Sequence, residues 1–499
     1  MSQFNAQLKR GALVNLIGIA AKLIYPLFFV VLTWLFGPEV VGLYFLVVFI
    51  AEVAVSAVSS GFNDATVIYA SHAVDDESGA AIKVSARAYR VLANGLVLTL
   101  GFSILLVIAF MLGADVLVDR IYDGREGLAS ALKLAVCALP FVAIGQIAIG
   151  GTKALMKMEY DAAINGFLKP FSLLGFALLA WWLNAGVMGV VAAYVGTQVV
   201  MALTGLWALF RYYELGSLLQ AIRRFELDSE VLRFAIPQNL NMTFNRYLSR
   251  LDVIMLGAFG FGDAMLAFYA SGALITSNIR EIKLIFSQAF APIAARHHAA
   301  GERAIFEAVL SRVCRWTTSL AVPVILMVFI LREDLLKLVD SSYTHDSLFM
   351  AVLLLPPLFS CAFGLAGNSI VYCGHAKWNL FNSLTVAALN TLFNWILIPR
   401  YGLMGAALAT ACAAGLITIL QLIELWWIEG IKVRLSAVWK PHLALGVLVL
   451  GLLFFGDPAQ IQGLENRLFT AAGILLSYGV ILIALKHEEW LVFRNRKQR

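Results

Sequence analysis

Charge is what this sequence has little of: Asp, Glu, Lys and Arg make up 14% of its 499 residues, where soluble domains carry about a quarter. Hydrophobic residues reach 61% and the mean hydropathy is +0.83, so a soluble globular chain is excluded. No long polar stretch interrupts the apolar sequence; the longest, about Arg211 to Arg233, is too short for a soluble domain. The five cysteines, Cys137, Cys314, Cys361, Cys373 and Cys412, are odd in number and lack CxxC spacing, so they read as buried thiols rather than a disulfide framework or a redox motif. The seven histidines, His72, His297, His298, His345, His375, His442 and His487, fall in loops or at helix ends, which argues against a haem or a histidine metal site. The nearest approach to a phosphate loop, GQIAIGGTK at Gly145 to Lys153, has Gly where Lys is needed and lies in an apolar run. It excludes a nucleotide site of that type.

What remains is a set of apolar runs of spanning length, at 12–36, 40–62, 88–112, 129–151, 164–184, 187–210, 234–258, 265–289, 308–331, 347–372, 379–398, 404–428, 441–456 and 467–485. They predict an all-α polytopic membrane protein of about fourteen transmembrane helices. The first follows Lys9 and Arg10 but is too long for a secretory signal and has no small-residue cleavage site after it, so it reads as an uncleaved span. An even number of spans puts both ends on one side. With the N-terminus placed inside, twenty-four Lys and Arg fall on inner loops and helix ends and seven on the outer side, Arg120, Arg125, Lys133, Arg332, Lys337, Arg400 and Arg467. That bias fixes the expected orientation, termini cytoplasmic. It also accounts for the net charge of +6 without nucleic acid.

Two internal matches suggest a duplication. LFGPEVVGLYFL, between the first two runs, matches FGFGDAMLAFYAS, with Gly37 on Gly262 and Tyr44 on Tyr269, both 225 residues apart. NAGVMGVVAAYV matches RYGLMGAALATA, with Gly186 on Gly402 and Gly189 on Gly405. The offset is six spans, so the expected plan is two six-helix lobes of the same orientation, 1–225 and 226–434, with two further helices and a tail at 435–499. The first bend and its partner are then expected at one mouth, as an outer gate.

Six cations fall within the runs: Lys22, Lys169, Arg246, Arg250, Arg280 and Lys283. A charge in hydrocarbon costs from about 3 to over 10 kcal/mol, so such groups face protein or water and are candidate functional residues. At about 100° per residue, Asn239, Arg246 and Arg250 share a narrow arc of the seventh span, and Asn241, Asn245 and Asp252 a second stripe. Tyr269, Thr276, Arg280, Lys283 and Ser287 share a face of the eighth, and Asn15, Lys22, Pro26 and Thr33 a face of the first. The expectation is a cationic cavity for an anionic substrate, with Lys22, Arg246, Arg250, Arg280, Lys283, Asn239, Asn245 and Tyr269 as binding residues. Glu52, Asp252 and Glu281 are its acidic counterparts, able to exchange partners or take a proton and so to couple transport to H+ or Na+. The alternative for these charges is fixed ion pairing between helices. Lys169 and Glu424 lie near inner helix ends and are expected to snorkel to headgroups. Pro26, Pro140, Pro170, Pro237 and Pro323 are expected kinks or hinges. No cofactor is expected.

LFGPEVVGLYFL, RLDVIMLGAFG and GHAKWNLFNSLTVAALNTLFNWILIPRYGLMGAALATA, in that order, resemble the polysaccharide transporter (oligosaccharide flippase) branch of the multidrug/oligosaccharidyl-lipid/polysaccharide (MOP) superfamily. The resemblance runs the length of the chain. It implies a bacterial inner-membrane translocase rather than an enzyme, carrying undecaprenyl-pyrophosphate-linked oligosaccharide for lipopolysaccharide O antigen or exopolysaccharide, beside a polysaccharide polymerase and chain-length regulator. It also implies two lobes that open alternately to either side. Arg250 and Asp252 stand in the family's basic-x-acidic segment; the other cavity residues rest on helical position. Rival readings are a lipid II flippase, a multidrug exporter, whose cavity should be acidic or aromatic, and a membrane glycosyltransferase or ligase, which would need a larger outer loop than Gly113 to Leu128 or Arg332 to Ser347 provides.

Overall fold

A computed structural model describes residues 24–71, 74–75, 83–341, 343, 347–373, 375–455, 461 and 463–485. The chain divides into two compact units, Met1–Ala270 and Ser271–Arg499. Compactness groups the seventh span with the first six, and it does not test the repeat boundary expected near 225.

The first unit begins with α1 (Ile24–Phe36) and α2 (Pro38–Ser71). Gly37, at φ +81°, turns out of α1 and gives its N–H to Thr33 O at 2.8 Å. Pro38 then opens α2, where its missing N–H is no loss, and Glu39 in the first turn meets the positive helix end. A short antiparallel pair, Val74–Asp75 with Lys83–Val84, leads to α3 (Ala86–Ile121), capped by the Ser85 hydroxyl, which accepts from Ala88 N. There follow α4 (Leu128–Val136), α5 (Leu139–Ala154), a π-helical turn at Ala162–Leu168, α6 (Lys169–Trp182), α7 (Gly186–Leu209) and the short α8 (Leu215–Arg223). Asp228 caps α9 (Ser229–Ala258) by accepting from Glu230 N and Val231 N.

The boundary falls within α10 (Asp263–Ser277), and the second unit continues with a 3-10 turn at Asn278–Arg280, α11 (Glu281–Ala299) and α12 (Arg303–Val339). After these come α13 (Leu348–Val352), α14 (Leu355–Phe363), α15 (Leu365–Tyr372), α16 (Ala376–Glu429), α17 (Leu435–Phe455) and α18 (Leu464–Ala484). The last two helices pack on α12 around Ala321, Val322, Ile325, Ala444, Ile474 and Tyr478. Tyr478 OH donates to Ser319 O at 3.3 Å, and Arg467 pairs with Asp334 at 2.5 Å.

Eight described helices are long and apolar enough to cross a membrane, nine if the pair Leu348–Phe363 and Leu365–Tyr372, bent by 44°, is one span. The chain is therefore an all-α polytopic membrane protein. The count of fourteen is not confirmed, for identifiable reasons. The first expected span lies partly outside the described residues, α9 carries too many polar groups, and the eighth span is broken by the Asn278–Arg280 turn. α16 joins two expected spans across Gly402, whose φ of +56° and ψ of −130° are not helical.

The second internal match is a backbone match. Gly186 and Gly402 both have positive φ, +53° and +56°, a conformation that costs glycine little. Three residues on, Gly189 and Gly405 each lie so close to the preceding helix that a Cβ would collide, with Ala185 and Ala180 in one case and with the Leu397 carbonyl in the other. The first match is offset in detail. Helix starts Pro38 and Asp263 keep the 225-residue spacing, but the left-handed glycine of the second bend is Gly260, at φ +78°, rather than Gly262. Asp263 supplies the first-turn carboxylate that Glu39 supplies in α2.

Pro140 and Pro170 stand in the first turns of α5 and α6, inside the continuous spans Leu128–Ala154 and Glu159–Trp182, and Pro170 directly follows the π-helical turn Ala162–Leu168. Pro237 and Pro323 lie inside α9 and α12.

Candidate functional site

The polar seam of the first unit runs where α2 crosses α9. Gly61 makes the crossing possible: a Cβ there would collide with the Ala235 carbonyl and lie 2.5 Å from Asn239 N. Asn239 fastens the seam, its Oδ1 accepting from Gly61 N at 2.5 Å and its Nδ2 donating to Val58 O at 3.3 Å. One turn away Gln238 Nε2 donates to Asp64 Oδ2 at 2.8 Å. Asn239, expected to bind substrate, thus spends both ends of its amide on α2 backbone.

Further along the same seam Glu52 meets two guanidinium groups. Arg250 Nε donates to Glu52 Oε2 at 2.9 Å, and Arg246 Nη1 stands 3.9 Å from that oxygen. The Arg250 guanidinium lies over the Phe49 ring, 4.1 Å from its centroid, a cation–π contact that holds its plane. Arg250 and Glu52 are mostly covered, whereas the Arg246 side chain is 47% exposed. One carboxylate against two cations leaves the cluster net positive. Lys169 is within electrostatic reach of Glu52 as well. Of the alternatives that the sequence leaves open, ion pairing is present at Arg250, whereas Arg246 stands half exposed to solvent.

The second stripe of α9 is placed differently. Asn245 Nδ2 donates back to Asn241 O at 2.9 Å and to its Oδ1 at 3.2 Å. Asp252 Oδ2 accepts from the hydroxyl of fully buried Tyr269 at 2.7 Å, so two residues expected in different roles form one pair. In the second unit Arg280 closes the 3-10 turn, Glu281 opens α11 with its carboxylate at the positive helix end, and Lys283 reaches the bend at Gly364, 3.1 Å from where a Cβ would be. Ser287, on the same face, accepts from Asn368 Nδ2 at 2.7 Å. Lys22 lies outside the described residues.

The two matched bends touch each other. Gly42 of α2 sits on the backbone of Asp263, with no room for a Cβ. Arg125 braces the second bend: its Nη2 donates to Phe261 O at 2.7 Å and lies 3.1 Å from Asp263 Oδ1. Burial pushes the Asp263 carboxyl above its ordinary value; Arg125 pulls it down and Glu39 pushes it up. Burial outweighs the ion pair, in keeping with a contact that lacks hydrogen-bond geometry at the Asp263 oxygen. Because the pKa is raised while the bends are in contact, that contact gains as pH falls and loses that gain as pH rises through the raised value. Labelling of a single Cys placed at Gly260 should increase with pH in the acidic range, and Asp263→Asn should flatten that dependence. An equal slope in both proteins would remove Asp263 as its source.

Residues 8–298, more than half of the chain, match the family described as polysaccharide biosynthesis protein. The chain belongs to that family. Its fold is shared with the lipid II flippase MurJ in an inward closed conformation, at 13% identity and a TM-score of 0.71 over 95% of this chain and 99% of that one. It is also shared with a multidrug resistance MATE family transporter of the MOP superfamily, inward-facing (14% identity, TM-score 0.65, 84% of this chain and 99% of that one) and outward-facing (16%, 0.59, 85% and 96%). These likenesses concern the fold alone. No curated protein sequence matches the chain.

This family member has polar features that sequence reasoning did not single out. A small pocket of about 100 Å³ in the first unit is lined in part by Asn63, Gln146, Lys153, Asp161, Asn165, Lys169 and Gln198. Lys153 pairs with Asp161 at 2.9 Å, and Asn165 donates to it at 2.6 Å. Lys169 therefore lines a pocket, where snorkelling was expected. Glu424 also departs from expectation: it is 4% exposed and accepts from Asn382 Nδ2 at 2.6 Å. A final cluster at one end of the second unit joins His298, Cys373, His375 and Glu429.

Proposed function

We propose that the chain moves a lipid-linked oligosaccharide, carried on an undecaprenyl diphosphate, from the inner to the outer leaflet of the bacterial inner membrane, with its termini cytoplasmic. The observation that carries this reading is the Glu52–Arg250–Arg246 cluster, two guanidinium groups sharing one carboxylate on the α2–α9 seam. Arginine binds phosphate oxygens in bidentate fashion, so a diphosphate can displace Glu52 from its partners. The released carboxylate then takes a proton or a sodium ion, which links substrate entry to the ion gradient. The family supplies the substrate class, lipid-linked saccharides, and the contact between the two bends supplies a gate on the outer side.

A lipid II flippase is supported by likeness of fold alone. Multidrug export of cations is disfavoured by the net positive cluster. Neither of the fold relatives named above is a glycosyltransferase or ligase. Deletion of the gene should remove surface polysaccharide and leave lipid-linked repeat units in the inner leaflet; restored export without the chain would overturn the reading. A polymerase and a chain-length regulator are the expected downstream partners.

Coupling has its own test. Collapse of the ion gradient should stop transport by the wild-type protein in vesicles, and Glu52→Gln should transport slowly and without regard to the gradient. Full gradient sensitivity in Glu52→Gln would take Glu52 out of the coupling step.

A further inference from the structure

The fold gathers four potential ligand residues that the sequence keeps far apart. Because α16 folds back at Gly402, its last turn returns to its own first turn, and Glu429 meets His375, 54 positions earlier. The end of α11 arrives at the same place with His298, and the turn after α15 brings Cys373. Glu429 Oε2 lies 2.9 Å from His298 Nε2, and Glu429 Oε1 lies 2.7 Å from His375 Nε2. The donor atoms of His298, Cys373 and Glu429 all fall within 4.8 Å of one another. Cys373 is 8% exposed, and the Glu429 side chain 12%.

We propose that this cluster is a binding site for a divalent transition metal of the zinc class, with His298 Nε2, Cys373 Sγ and Glu429 Oε2 as ligands. His375 holds the second oxygen of Glu429 and orients the carboxylate. The donor set is one soft sulfur, one imidazole and one carboxylate, the mixture that zinc accepts in tetrahedral geometry with a water in the fourth position. At metal–nitrogen and metal–oxygen distances of about 2.0 Å and a metal–sulfur distance of about 2.3 Å, neighbouring ligands of a tetrahedron stand roughly 3.3–3.7 Å apart. The observed spacings, 2.9 Å between His298 Nε2 and Glu429 Oε2 and no more than 4.8 Å among the three donors, bracket that arrangement.

Electrostatics favours a cation here. Glu429 ends a helix, where the negative end of the helix dipole disfavours a carboxylate. Of the other charged groups nearby, Arg303, 3.4 Å from the position a Cβ on Gly430 would take, is a like charge that opposes the metal, and His297 is turned to Glu302 at 2.6 Å. On binding, the thiol releases its proton to solvent and the neutral imidazole of His298 gives its lone pair, so a dication with one thiolate and one carboxylate is neutral overall. The metal would pin the ends of α11, α15 and α16 together.

The full-length protein in detergent or nanodiscs should be titrated with Co2+ and then with Zn2+. One equivalent of Co2+ should bind and give tetrahedral d–d bands with a sulfur-to-cobalt charge-transfer band, which Zn2+ abolishes, and Zn2+ should raise the Tm. Cys373→Ser and His298→Gln should lose the charge-transfer band and stoichiometric binding. His375→Gln should weaken binding by about 10–100-fold, as loss of a ligand's outer partner does. Cys412→Ser, which removes the exposed thiol, should bind as wild type does. Failure of the wild-type protein to bind Co2+ stoichiometrically would overturn the proposal. So would binding that survives in both Cys373→Ser and His298→Gln, and the cluster would then be a carboxylate bridging two imidazoles through protons.

Discussion

Replacing Arg246 and Arg250 together by Ala is expected to abolish surface polysaccharide while leaving the protein inserted and folded. The two losses differ in kind. Arg250 is held by Glu52 and by the face of Phe49, so Arg250→Ala alone leaves a mostly covered carboxylate without its closest partner. For fully buried pairs that costs on the order of 3–5 kcal/mol, and less here because both side chains keep about a fifth of their surface exposed. Arg246, half exposed and 3.9 Å from Glu52, contributes little to stability, and its replacement should act on substrate alone. Arg246→Ala should therefore keep the wild-type Tm and lose export by tenfold or more. Glu52→Gln with Arg250→Ala should recover much of the stability that Arg250→Ala loses, without recovering transport. Normal surface polysaccharide in the double arginine variant, produced at wild-type level, would end the anion-site reading.

The second large effect is expected at two glycines of α2. Gly61 admits the α9 backbone and Gly42 admits the backbone of Asp263, and in each case a Cβ would overlap a carbonyl oxygen that cannot move alone. Overpacking of this kind typically costs about 1–3 kcal/mol, and more when backbone must shift. Gly61→Val should lower the Tm strongly, because it separates the helices that carry Glu52 and Arg250 and breaks the Asn239 clasp. Gly42→Val should act on conformation, keeping the two matched bends apart. A reporter Cys at Gly260 should then react faster at every pH, and transport should stop. Gly101→Val and Gly175→Val, at sites where a Cβ would meet nothing within 4 Å, serve as controls and should be silent. Equal effects at all four positions would show general intolerance of bulk in these helices and no special role for the two crossings.

The features legible in the sequence are those set by local rules. Gly186-x-x-Gly189 and Gly402-x-x-Gly405 announced paired hairpins because left-handed backbone and close helix approach both demand glycine there, and the structure puts positive φ at Gly186 and Gly402. Glu52, Arg246 and Arg250 stood out because charge in an apolar run needs a reason. Which of them pair did not show, since Glu52 and Arg250 are 198 residues apart and meet only through the crossing at Gly61. That crossing also explains Asn239: on a helical wheel it shares the arc of Arg246, but a seam that close captures its amide for the backbone of α2. The left-handed glycine is Gly260 and not Gly262 because the two bends share the spacing of their helix starts, while the turn between the helices is displaced by two residues. His298, Cys373, His375 and Glu429 carried no spacing signal beyond a Cys-x-His pair, as three helix ends must converge before they meet. For Glu424, position near a helix end does not reveal that Asn382 faces it.

Translocation in reconstituted vesicles tests the central claim most directly. The purified protein would be placed in vesicles whose inner leaflet carries a fluorescent undecaprenyl-diphosphate oligosaccharide, with an imposed ion gradient, and arrival in the outer leaflet followed by a quencher that does not cross the bilayer. The account predicts gradient-dependent arrival with the wild-type protein, none above the protein-free rate with Arg246→Ala plus Arg250→Ala, and no export of a cationic dye by either. Lipid movement that is equal with and without the protein, or export of the dye in place of the lipid, would contradict it.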